Sequence, residues 1–114
     1  MGRFDEFTRF RQKMNARILE RGNLGIKRFF SLDGDAYRPG ALDAKTKELI
    51  GLAASLVLRC DDCIAYHLIQ SKECGAGSEE IFEVFHVALV VGGSIVIPHL
   101  RRAVDFLEEL ESQK

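Results

Sequence analysis

The sequence predicts an all-α fold of about six helices. Three observations carry that expectation. Apolar residues recur at three- and four-residue steps in successive stretches. No segment alternates with period two over strand length. Glycine stops and Asp or Ser caps fall between the periodic stretches. At 114 residues the chain is expected to form a single domain, 1–114, long enough for a core. Hydrophobic residues at 46% and charged residues at 29% match a soluble globular protein. The formal charge of −1 supplies no broad basic field for nucleic acid. No internal repeat or low-complexity segment is present.

The first helix is expected over Arg3 to Arg21, where Phe4, Phe7, Met14 and Ile18 form a stripe flanked by arginines and a lysine. That basic flank reads as a solvated face, and Gly22 ends the helix. From Asn23 a short helix with Leu24, Ile26, Phe29, Phe30 and Leu32 is expected, and SLDGDAYRPG after it reads as loop. Phe29 and Phe30 are expected in the core or at an oligomer contact. Asp43 is a good N-cap for a third helix, whose stripe is Leu49, Leu52, Ala53, Leu56 and Val57. A fourth helix is expected from about Asp61 to Glu73, with Ile64, Leu68, Cys63 and His67 inward, closed by Cys74-Gly75-Ala76-Gly77. Ser78 is the expected cap of a fifth helix, with Ile81, Val84, Phe85, Ala88, Leu89 and Gly92 on its apolar face. Gly92-Gly93-Ser94 breaks the chain. A last helix carries Ile95, Val96, Leu100, Ala103, Val104, Leu107 and Leu110, with Pro98 starting or kinking it. No charge-based function is assigned to that helix.

No secretory n-region and h-region opens the chain, so the expected location is cytoplasmic. The longest uncharged stretch, Val87 to Leu100, is shorter than the ~18 apolar residues of a membrane candidate and is expected as a buried helix and a turn, with no membrane partner. Three cysteines do not make an extracellular disulfide framework, so a C-x-x-C here points to redox or metal chemistry.

The chemistry concentrates in Glu48 to His67, ELIGLAASLVLRCDDCIAYH. Cys60, Cys63 and His67 fall at i, i+3 and i+7, one stripe of a helix. A helix N-terminus lowers a cysteine pKa, and His67, one turn past Cys63, is placed to accept a proton directly or through one water. A third group is needed to orient that base, and Glu48 is the candidate. If the third and fourth helices form an antiparallel hairpin turning near Cys60, Glu48 and His67 are mismatched by ~7 Å along the axes. Helix crossing, the long glutamate side chain or a water must close that gap. Three alternatives stand beside this reading. The cysteines can be inert core residues. Cys60, Cys63, His67 and Glu48 can be four metal ligands, although this spacing differs from the usual two-knuckle zinc pattern. Glu48 can pair with Lys45 or Lys47 at the surface.

The pattern Glu48-x11-Cys60-x2-Cys63-x3-His67 resembles the signature of the carboxymuconolactone decarboxylase superfamily, in its AhpD-like alkylhydroperoxidase branch. LDAKTKELIGLAASLVLRCDDCIAYH and GAGSEEIFEVFHVALVVGG are similar to that family's core in order and spacing, so the resemblance spans roughly 40–103. It implies an all-helical homo-oligomer, commonly a trimer or hexamer. It also implies a thiol peroxidase or disulfide reductase with no cofactor beyond a redox-active Cys60–Cys63 disulfide. Under it, Cys63 attacks a small hydroperoxide, Cys60 resolves the sulfenic acid, His67 and Glu48 relay the proton, and a thiol or lipoyl-type reductant restores the dithiol. The chain departs from the best-studied branch in carrying Asp62 where a second histidine precedes the second cysteine. That negative charge opposes thiolate formation. The cysteine pair argues against lactone decarboxylation, since decarboxylase members generally lack it. The alternative function is a protein of the same fold without peroxidase activity, either lactone decarboxylase-like or a metal-binding or structural oligomer.

Outside this motif, His86 lies near an apolar face and reads as structural or pocket-lining. His99 stands near the site or at an oligomer contact. Cys74 is ~16 Å from Cys63 along a helix and reads as helix-end packing.

Overall fold

A computed structural model of the chain describes residues 2–113. Among them are six α-helices and no strand: α1 (Arg3–Arg21), α2 (Leu24–Ala36), α3 (Ala44–Leu58), α4 (Asp61–Glu73), α5 (Ser78–Gly92) and α6 (Ile97–Ser112). A 3-10 turn, Ser94–Val96, precedes α6. The chain divides into two compact units that part between Arg38 and Pro39.

In the first unit, α1 ends where Gly22 donates its N–H to the Ile18 carbonyl at 2.7 Å. Asn23 caps α2 by accepting the Ile26 N–H at 3.0 Å. Helix α2 runs through Asp33-Gly34 to Ala36, where a loop is expected from the turn residues. An Asp-Gly pair makes a hairpin turn only between strands that can pair, and a lone glycine in a helix costs only about 1 kcal/mol, so a capped helix continues across it. Pro39-Gly40 does fall in the turn region. Neither α1 nor α2 holds a buried residue. Phe29 is exposed and Phe30 half-buried, so neither is core.

In the second unit, Asp43 starts α3 by accepting the Thr46 N–H at 2.8 Å. Helix α3 packs on both α4 and α5, and α4 packs on α6. The core is Leu52 and Leu56 from α3, Ile64 and Leu68 from α4, Ile81, Phe85 and Ala88 from α5, and Ala103, Phe106 and Leu107 from α6, closed by Ala76 and Val96. Phe106, not named among the expected apolar positions of the last helix, joins this core, three residues after Ala103 and four before Leu110. The cap of α5 is Gly77 rather than Ser78. Glu80 accepts the Gly77 N–H at 2.9 Å, and the Ser78 hydroxyl donates to Glu111 instead. Gly93, at φ 83°, takes a backbone that side-chain-bearing residues avoid, and it breaks α5 from the 3-10 turn. Pro98 sits in the first turn of α6, where proline is tolerated because a helix's first N–H groups need no helical acceptor. The stretch from Val87 to Leu100 is buried only in part: Ala88 and Val96 enter the core, whereas Val87, Val90, Val91 and Ile95 are exposed.

Candidate functional site

The site lies at the junction of α3 and α4. Helix α3 closes with the Cys60 N–H reaching the Ser55 carbonyl at 3.0 Å and the Arg59 N–H reaching Leu56 at 3.1 Å. This is the Schellman pattern, which needs a left-handed residue and most often uses glycine. Here Arg59 takes it, at φ 61°. The tight reversal delivers Cys60 as the N-cap of α4, in extended conformation. Cys60 is therefore just outside the helix, and the expected stripe of three helical positions is corrected to two, Cys63 and His67.

Cys63 sits in the first turn of α4, and its N–H donates to Cys60 Sγ at 3.2 Å. The two sulfurs are joined as a disulfide, with the Cα atoms 5.3 Å apart. Both stand at the N-terminal end of α4, where unpaired N–H groups and the helix dipole favour negative charge on sulfur.

Below them, His67 Nδ1 and Glu48 Oε1 are 2.8 Å apart. Both side chains are buried, so Glu48 is no surface partner of Lys45, which pairs with Glu80 at 2.9 Å. The contact is direct and needs no bridging water. Gly51 explains how the expected axial mismatch is closed. A Cβ there would lie 2.7 to 2.9 Å from three atoms of the His67 ring. The ring therefore rests on the bare Cα of α3, and Glu48 reaches it from one turn earlier. Because Nδ1 faces a carboxylate, a neutral His67 carries its proton there, which makes Nε2 the basic nitrogen. Tyr66 meets the ring edge-on at 5.2 Å between centroids.

A second polar group lies beside Cys60. Asp61 accepts from His99 Nδ1 at 2.7 Å and from Arg102 Nε at 2.9 Å, both on α6. Partial burial pushes the Asp61 carboxyl up, but the hydrogen bonds and positive charges of His99 and Arg102 outweigh it and hold the carboxyl below its usual range. Helix α6 thus has a charge role that its own spacing does not show. Asp62 is exposed. His86 is also exposed, contrary to expectation, because α5 turns it away from the apolar side. Cys74 is the exposed C-cap of α4; partial burial and the negative charges of Glu48, Glu73 and Asp43 push its thiol up.

Of the expected four residues, the structure joins Cys60 to Cys63 and Glu48 to His67, with His67 one turn beyond Cys63 on α4. Sequence reasoning missed Gly51, Arg59 and the contact of Asp61 with Arg102, and it left His99 between the site and an oligomer contact. Gly51 had a signal, a lone glycine inside an otherwise regular apolar helix. Arg59 gave none because the left-handed position after a helix is most often glycine, and the Asp61 contacts gave none because they depend on which helix packs against α4. Among the described residues, no group of three or more His, Cys, Asp or Glu side chains is set to hold a metal ion. No helix there is long and apolar enough to cross a membrane.

The family model described as carboxymuconolactone decarboxylase family matches residues 26–106. Crystal structures of a Thermotoga maritima protein share 63% sequence identity with the chain; one superposes with a TM-score of 0.93 over 95% of both chains. Another structure of it, at TM-score 0.91, covers 94% of this chain and 91% of that one. It is described as a carboxymuconolactone decarboxylase family protein with a suggested involvement in antioxidative response. A Legionella pneumophila protein of the same family, solved in apo form, is 30% identical and reaches a TM-score of 0.84 over 93% of this chain and 95% of its own. A Paracoccus denitrificans protein, called uncharacterized protein 4 in the cox locus, is 32% identical over 73% of this chain and 75% of its own length.

Proposed function

The chain belongs to the carboxymuconolactone decarboxylase family, and from that premise we propose that it is a thiol-dependent oxidoreductase of the alkylhydroperoxidase-like type. The observation that supports this reading best is the pairing at one helix start: two cysteines within bonding distance, over a buried Glu48–His67 pair. A suggested antioxidative involvement of the Thermotoga maritima relative points the same way.

In the proposed cycle the Cys63 thiolate attacks a hydroperoxide oxygen. An S–O bond forms, the O–O bond breaks, and the leaving alkoxide takes a proton and departs as an alcohol. His67 supplies and retrieves that proton through Nε2, while Glu48 holds Nδ1 and fixes the ring. Cys60 sulfur then attacks the Cys63 sulfenic acid, an S–S bond forms, and water leaves. An external thiol or lipoyl-type dithiol attacks the disulfide, is itself oxidised, and returns both cysteines to the reduced state. The same exchange run on a protein disulfide is the reductase version of the activity. No resident metal or organic cofactor takes part in the proposed cycle.

The reading includes self-association as a trimer or hexamer in the cytoplasm. Ile50 of α3 and Val87, Val90 and Val91 of α5 are more than half exposed, and apolar faces of that kind favour a protein partner.

The test follows hydrogen peroxide and an organic hydroperoxide with dihydrolipoamide as reductant. Cys63→Ser is expected to abolish turnover, and Cys60→Ser to stop at a sulfenic acid or mixed disulfide seen by mass spectrometry. Full peroxide consumption by Cys63→Ser would sink the proposal.

A further inference from the structure

The redox reading accounts for Cys60, Cys63, His67 and Glu48 but gives no task to the polar group on α6. That group is placed with care. Asp61 is bonded to Cys60 and begins α4. An aspartate there is good for the helix, because it complements the positive N-terminal end of the dipole. It is bad for a thiolate on either neighbouring sulfur, because like charges repel. Asp62 adds a second negative charge in the same turn. Helix α6 answers with two groups one turn apart: His99 on one carboxylate oxygen of Asp61 and Arg102 on the other. His99 is largely buried, at 19% side-chain exposure, whereas Arg102 is half exposed. Arg102 carries a permanent charge, so the offset persists whatever the protonation of His99.

We propose that Arg102, with His99, offsets the Asp61 charge beside the thiols and so sets the redox poise of the Cys60–Cys63 pair. Arg102 and His99 are positioning residues acting through Asp61, not groups that touch substrate. The inference rests on the redox reading of the pair. In the reductive half-reaction a thiolate attacks one sulfur, the Cys60–Cys63 bond breaks, and the electron pair leaves on the other sulfur. Asp61 stripped of its partners opposes that leaving thiolate. Among the described residues, the charged and titratable groups of this turn and the elements that meet it include Asp61, Asp62, Tyr66 and His67 of α4, Glu48 of α3 with Arg59 at its end, and His99 and Arg102 of α6.

The experiment uses the full chain and compares wild type with R102Q, R102K, D61N and the double variant R102Q/D61N. Two quantities are read: the pH midpoint of alkylation at each cysteine, by mass spectrometry, and the reduced fraction at a fixed glutathione ratio. R102Q is expected to raise the midpoint by about half a pH unit or more, and to lower the reduced fraction about threefold. D61N is expected to move both in the opposite direction. R102K keeps the charge and stays near wild type, and the double variant returns toward it. Thermal melting confirms that each variant is folded. Shifts of the same sign in R102Q and D61N would mean that the group only holds α4 in place, and would overturn the proposal, as would no shift in either. The midpoint is read whether or not the protein consumes peroxide. Failure of the enzymatic reading and failure of this inference therefore give different results.

Discussion

The helices up to Arg38 and those from Pro39 onward carry similar apolar stripes but treat them differently. Phe10 of α1 and Phe29 of α2 are 68% and 67% exposed, while Phe85 of α5 is 2% exposed. Neither α1 nor α2 has a buried residue, whereas α3 to α6 enclose a shared core and the buried Glu48–His67 pair. The difference is one of partners. Periodicity makes a helix amphipathic, but burial needs a complementary face, and in the second unit α3 finds two, on α4 and α5. A proton relay of the proposed kind needs that enclosure, because a packed wall holds side chains in one rotamer.

The largest expected effect comes from adding one methyl group in each region. Gly51→Ala places a Cβ inside the contact distance of the His67 ring and should separate it from Glu48. If the proposed peroxidase activity holds, turnover should fall by ~10²-fold, the scale set by a 1 Å misplacement of a reacting group. Stability should fall by about 1–3 kcal/mol, as overpacking costs exceed the helix gain. Gly34→Ala in α2 meets nothing within 4 Å and should stabilise, by about 0.4–1 kcal/mol. Kinetics and urea unfolding of the two variants, compared directly, check the opposite signs.

A core deletion comes next. Leu68→Ala should cost about 2–5 kcal/mol by urea denaturation, since Leu68 is fully buried between helices. Phe29→Ala should stay within about 0.5 kcal/mol. A larger, concentration-dependent loss at Phe29 would break the comparison by showing that a second molecule covers α2.

Acid should then act on the second unit through Asp43, Asp61 and Glu80. The Thr46 hydrogen bonds hold the Asp43 carboxyl down, and the Gly77 N–H and Lys45 do the same for Glu80, as His99 and Arg102 do for Asp61. A carboxyl lowered in the folded state adds stability above its unfolded pKa, roughly 4, and that stability is lost as pH falls through the folded value. Melting temperature should therefore be flat near neutrality and drop below about pH 4. D61N should flatten part of that drop.

The smallest effect is expected at Ser71. Its hydroxyl is fully buried and has no hydrogen-bond partner among the described residues. Ser71→Ala should be neutral or stabilising by up to about 1 kcal/mol, since it removes an unpaid desolvation penalty. A clear loss on calorimetry would show that the hydroxyl has a partner in solution.

Much of this was legible in the chain. The bounds of α1 and α4 followed from period and caps, because those signals are local: Gly22 stops one helix, and Asp61-Asp62 suit the start of another. The spacing of Cys60, Cys63 and His67 likewise singled out the candidate site, since all three lie within two turns. Other features resisted. The Asp33-Gly34 pair reads as a turn although α2 runs through it, because the same dipeptide serves either state and neighbours decide. Ser78 gave way to Gly77 as cap because its hydroxyl found Glu111, 33 residues away.

By itself, then, the sequence determined that the chain is helical, where most of its helices start and stop, and that a thiol pair sits at one helix start with a histidine a turn behind. These depend on residues a few positions apart, whose geometry a helix dictates. Only the tertiary structure decided that Glu48 reaches His67 without a water, that Gly51 makes room for the ring, and that α6 brings Arg102 and His99 to Asp61. Each of those is a contact between helices, and helix packing is settled by shape and volume over the whole core rather than by spacing along one segment.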